Sequence, residues 1–274
     1  MASRRSTSSD PEQARPRLRP VALPVEHGGW GFTLEPVLLG MLVAPSWAGG
    51  ALGAFALAAF LTRHPLKLWL TDVLAQRQYA RTRSARRFAL LYGASASAAL
   101  WLAARSARGA FWGPLLLALP LAVAQLGFEI RLQARNLATE LAGAVAMGAL
   151  APAIVLAAGL DPQAAYGLWL VMAARAVAAV FYARVQVRRA RGKGEPPRLA
   201  PAWLAMALST ALLLAAAWPG WVPWLGAASV GLLLPIAFFT FRRPPAPAKV
   251  VGWTQLLLGL LVAVATAAGV RAGW

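Results

Sequence analysis

The residues with most capacity for chemistry open the first apolar stretch: Pro24-Val25-Glu26-His27-Gly28-Gly29-Trp30-Gly31-Phe32-Thr33-Leu34-Glu35-Pro36. Two carboxylates, an imidazole and three glycines fall within thirteen residues. Glu26 and His27 suit proton transfer, and a carboxylate at Glu35 would stand about 12 Å inside a helical span. Further along, Glu140 follows one turn into an apolar stretch, and Arg175 lies near the middle of another. Tyr182, Arg184 and Gln186 come below Arg175, and Gln255 sits just inside the last stretch. An ionisable group within a membrane span costs about 3 kcal/mol on insertion scales, so such groups face a cavity or one another.

These groups need elements to hold them. The chain has 274 residues, 59% hydrophobic and 13% charged, about half the charge of a soluble domain. Apolar runs long enough to cross a bilayer recur along it, and in lipid the backbone must satisfy its own hydrogen bonds. The runs are too long and uniform for barrel strands. The expected fold is therefore all-α: a polytopic membrane helical bundle of about nine transmembrane helices. Residues 1–23 read as a disordered basic cytosolic tail and 24–274 as a single transmembrane domain. Spans are expected at about 28–46, 48–62, 87–104, 109–128, 137–160, 164–187, 200–217, 220–241 and 250–270. His64-Pro65 is expected to end the second span, with an amphipathic helix over about 63–86 lying on the membrane surface.

Charge placement gives an independent test. The net charge is +18. With the N-terminus in the cytosol, 23 of the 27 Lys and Arg fall in cytosolic segments, Arg105, Arg108 and Arg271 fall outside, and Arg175 lies within a span. This predicts nine helices with the C-terminus outside. The positive charge is then accounted for by anionic headgroups, not nucleic acid. The absence of cysteine excludes disulfides and thiolate metal sites. Two histidines are too few for a typical zinc site.

The polar groups gather at midplane or towards the cytosolic side, which predicts one cavity opening there. Arg63, His64, Lys67, Arg131, Arg135, Arg175, Tyr182 and Arg184 are candidate substrate-binding residues. Glu26, His27, Glu35 and Glu140 are candidates for orienting groups or moving protons. Plainer roles compete with each. Glu35 or Glu140 can pair with Arg175 to lock the bundle; Arg63, Lys67, Arg131 and Arg135 can hold lipid headgroups; His27 can cap a helix.

The segment Pro24-Val25-Glu26-His27-Gly28-Gly29-Trp30 resembles the opening of the YwiC-like family of multi-spanning bacterial membrane proteins. The stretches from Phe60 to Pro65, Glu129 to Arg131, Asn136 to Gly143, and Arg175 to Arg184 are similar to that family more loosely. The resemblance implies a multi-pass protein of the bacterial plasma membrane. The nine-span plan is also similar to UbiA-type intramembrane prenyltransferases, whose cytosol-facing cavity holds a prenyl diphosphate through Mg²⁺ and aspartate-rich motifs. The chain departs from that pattern at both motifs. It has Arg63-His64-Pro65 and a lone Asp72 at the first, and Tyr182-Ala183-Arg184 with Arg188 and Arg189 at the second. One aspartate does not build two magnesium sites. The residues instead suit direct gripping of an anionic-headed lipid or isoprenoid by guanidinium groups. A transporter of a small anion or proton-coupled solute, and a non-catalytic membrane subunit, are the alternatives.

Overall fold

The computed structural model describes residues 19–23, 27–131, 136–192 and 197–273. Among them every regular element is a helix. In chain order these are α1 (Arg19–Ala22), α2 (His27–Val43), α3 (Trp47–Leu74), α4 (Ala80–Ser106), α5 (Trp112–Ile130) and α6 (Leu137–Gly148). There follow α7 (Leu150–Ala157), α8 (Pro162–Arg191), α9 (Ala200–Ala217), α10 (Trp224–Gly231), α11 (Leu233–Phe241) and α12 (Ala248–Arg271). The expected all-α membrane bundle is what forms. The expected tail lies outside the described residues as far as residue 18.

Prolines decide where two rods break. Pro36, Pro65 and Pro120 sit inside continuous helices. Breaks come where glycine stands four residues ahead of proline: Gly148 to Pro152 between α6 and α7, and Gly231 to Pro235 between α10 and α11. Proline removes the bond to the carbonyl four residues back, and glycine there adds backbone freedom, so the two effects combine at one point.

The expected surface helix over 63–86 does not form. α3 continues through Pro65 to Leu74, a turn follows, and α4 begins at Ala80. The bond lost at Pro65 is offset by the packing of α3 along α4, the most extensive helix pairing among the described residues. The turn is clasped by Asp72, which is buried. Its carboxylate accepts from Arg81 Nη2 at 3.1 Å and from Thr82 Oγ1 at 2.7 Å. Asp72→Ala is expected to cost about 1–2 kcal/mol of stability, read as a lowered Tm in detergent, with Arg81→Ala costing less because Arg81 is exposed.

Among the described residues, seven helices are long and apolar enough to cross a membrane, taking α6–α7 and α10–α11 as one each. The apolar part of α2, Gly29–Val43, falls short of the usual length, and the 28-residue α3 is not among the seven. Length and composition thus stop short of the expected nine. The inner packing is alanine-rich, with Leu39, Leu52, Ile154, Leu168, Met206 and Leu213 as large buried side chains. Outward leucines on α5, α9 and α12 remain exposed, as a lipid-facing surface requires.

Candidate functional site

Three helices bring the deep polar groups together. Glu35 on α2 and Arg175 on α8 form an ion pair, Oε1 to Nη2, at 3.6 Å, and both side chains are at least 96% buried. Nη2 of Arg175 also donates to the backbone carbonyl of Gln255 on α12, at 2.6 Å. The sequence left open whether Glu35 or Glu140 pairs with Arg175, and the structure selects Glu35. The carboxylate fits because Gly259 on α12 has no side chain: a Cβ there would collide with the Glu35 carboxyl group. Gly31, one turn earlier on α2, closes the notch, with space for a Cβ only 3.2 Å from Glu35 Oε1.

Polar atoms are left over at this depth. Arg175 Nε and Nη1 and both side-chain amide atoms of Gln255 are buried without a hydrogen-bond partner among the described residues. Buried polar groups in folded proteins are nearly always paired, so four such atoms in one place point to something that completes them.

A cavity of about 770 Å³ extends from this point. Its deep end is Thr33, Glu35, Arg175 and Gln255. Its walls include Phe32, Phe60, Ala144, Met147, Val180 and Leu256. Halfway along, two ion pairs bridge helices: Arg63 on α3 with Glu129 on α5 at 3.5 Å, and Arg184 on α8 with Glu140 on α6 at 2.9 Å. Gln125 Nε2 supports Glu129 Oε1 at 3.3 Å and occupies the space a side chain at Gly143 would take. At the mouth stand Arg188, Arg191 and Lys249, all exposed and without a side-chain partner among the described residues. The volume is in the range of small-molecule sites.

Of the residues expected to form a site, Glu35, Arg63, Glu140, Arg175 and Arg184 come together at this cavity. Four others stand apart. His64 Nε2 lies 3.0 Å from the Pro20 carbonyl, against the N-terminal turn. Lys67 is outside the lining, and Arg131 is exposed at the end of α5. Tyr182 donates to Thr240 Oγ1 at 3.0 Å and accepts from Gln186 at 3.1 Å. That chain leads to Arg189, whose guanidinium takes up the carbonyls of Thr240, Phe241 and Arg243 at the end of α11. A cation satisfying the last carbonyls of a helix is a structural cap. Glu26 and Arg135 lie outside the described residues, and His27 begins α2 with a side chain that is also outside them.

Sequence reasoning passed over Gln125, Glu129, Arg191 and Lys249 as site residues, met Arg188 only within the second motif, and gave Gln255 no role. Gln125 and Glu129 did leave a signal: two polar residues four apart on one face of an otherwise apolar helix. Among the described residues no three His, Asp or Glu side chains are grouped to hold a metal ion.

The opening motif and the cavity's first three walls, α2, α3 and α5, fall in the part of the chain that matches a known family. The family model described as YwiC-like protein matches residues 23–155. This stretch is similar to that family. It supplies Glu35, Arg63, Gln125, Glu129 and Glu140, whereas Arg175, Arg184, Lys249 and Gln255 come from the chain beyond it. No curated protein matches the chain. No solved structure matches it either, so the similarity to UbiA-type enzymes stays an expectation of the sequence.

Proposed function

We propose that this YwiC-like membrane protein binds an anionic-headed lipid or isoprenoid in the cavity, with the headgroup at the mouth, which faces the cytosol. The observation that carries the reading is the grouping of Arg188, Arg191 and Lys249, three cations without side-chain partners among the described residues, at the rim of a chamber that also presents Phe32, Phe60, Met147, Val180 and Leu256. Deeper cations are already matched: Arg63 by Glu129, Arg184 by Glu140, Arg175 by Glu35. The rim is therefore where excess positive charge is available to a phosphate. The apolar walls then take the hydrocarbon. Transfer chemistry on such a ligand is the further step of this reading, with Glu140 as its candidate carboxylate for moving a proton.

Transport of a small anion is the second reading, and one packing feature weighs against it. A separate cavity of about 510 Å³, lined by Met41, Trp47, Arg108 and Ala157 among others, lies at the opposite end of α2. Between the two along α2 and α7 lie Leu39 and Ile154, both fully buried, with Ile154 packed against Gly40 and Gly49.

Native mass spectrometry on protein released from nanodiscs made with the host's own lipid tests the proposal. The wild type is expected to retain a phosphate-bearing lipid or isoprenoid, and the Arg188→Gln/Arg191→Gln/Lys249→Gln variant is expected to lose most of it. Equal retention by the two, or an empty wild type, overturns it.

A further inference from the structure

The deep end of the cavity differs in kind from its mouth. Glu35 and Arg175 cancel in charge, yet the place keeps unpaired donors on Arg175 and an unpaired donor and acceptor on Gln255. An anion brought there would face the Glu35 carboxylate in surroundings that screen little, and a cation would face Arg175. A group without net charge meets neither obstacle. It can accept from Arg175 and from the Gln255 amide, and donate to Gln255 Oε1. Resting on the reading of the mouth as an anion site, we infer that the deep end is a subsite for an uncharged hydroxyl or similar donor–acceptor group at the far end of the same ligand. The ligand class is thus an amphiphile with a phosphate at one end, an apolar middle and a neutral oxygen function at the other.

The dimensions set its length. Lys249 precedes Gln255 by six residues on α12, a rise of about 9 Å, and Arg188 follows Arg175 by thirteen on α8, about 20 Å. A chain of about ten carbons spans the interval. The walls it passes include the apolar Phe32, Ala144, Met147, Val180 and Leu256, beside the Arg63–Glu129 and Arg184–Glu140 pairs, whose charges are already matched.

Three probes separate the two ends of the site: 10-hydroxydecyl phosphate, decyl phosphate and 10-carboxydecyl phosphate, titrated against the full-length protein in nanodiscs by calorimetry. The hydroxyl-ended probe is expected to bind roughly tenfold more tightly than the methyl-ended one, because a buried polar site left unpaired disfavours the apolar end. The carboxyl-ended probe is expected to bind no better than the methyl-ended one. Gln255→Leu is expected to erase the hydroxyl preference while decyl phosphate binds as in wild type, which also shows that the variant is folded. Equal affinity of the hydroxyl and methyl probes in the wild type, or a preference for the carboxyl probe, overturns the deep subsite and leaves the mouth reading standing. Failure of all three phosphates to bind overturns both.

Discussion

Replacing Arg175 with alanine is expected to destabilise the protein by about 3–5 kcal/mol, the range for removing one partner of a buried ion pair. The loss has a specific origin. Arg175 is 1% exposed and sits between α2, α8 and α12. Without it, the Glu35 carboxylate is left buried beside the glycines Gly31 and Gly259, which offer it no charge. The Gln255 carbonyl loses its 2.6 Å donor at the same time. Glu35→Gln should be milder, since a neutral amide needs no counter-charge but still leaves the guanidinium unmatched. The double variant Glu35→Gln/Arg175→Met should recover much of the stability, because the remaining groups are uncharged. The readout is the unfolding midpoint of all three variants in one detergent. An Arg175→Ala protein as stable as wild type would show that the Glu35–Arg175 pair does not hold α2 and α8 together, and that structural role would have to be given up.

Why some of this was legible in the sequence and some was not follows from what each residue depends on. Glu35, Glu140 and Arg175 stood out because a charge in an apolar run needs a compensating partner wherever it lies. Which carboxylate meets which guanidinium depends on helix rotation and crossing, and neither is written in spacing along one helix. The structure pairs Glu35 with Arg175 and Glu140 with Arg184, and adds Arg63 with Glu129. Tyr182 and His64 illustrate the opposite case. Their types suited a binding site, but Tyr182 turns towards α11 and His64 towards the N-terminal turn. The helical class was readable because hydropathy and charge alternation bear on every span at once. The fate of Pro65 was not. A lone proline ends a helix or is carried through it according to what packs alongside, and the packing of α3 on α4 is a long-range fact. The residues that shape the Glu35 site were the least visible of all, since a glycine in an alanine- and glycine-rich span looks like any other small residue.

Gly259 is where that invisibility is most consequential, and Gly259→Ala is the second large effect expected. A Cβ at this position would overlap the Glu35 carboxyl group itself. The carboxylate lies at the end of a flexible side chain, yet it has little freedom to withdraw. It is held by Arg175, so any withdrawal is at the expense of that ion pair. Two responses are open: Glu35 swings towards the cavity and leaves Arg175, or α12 moves away from α2, against which it packs extensively. Either disturbs the same ion pair, so the variant should lose about 1–3 kcal/mol, the usual range for overpacking a well-filled core. The coupling distinguishes this cause from general crowding. In an Arg175→Met/Glu35→Ala background the space the Cβ needs is free, and Gly259→Ala should then be neutral or slightly stabilising, as expected of glycine to alanine inside a helix. If Gly259→Ala is equally harmful in both backgrounds, the close approach of α12 to α2 owes nothing to the Glu35 carboxylate. The deep end of the cavity would then be shaped by helix contact alone.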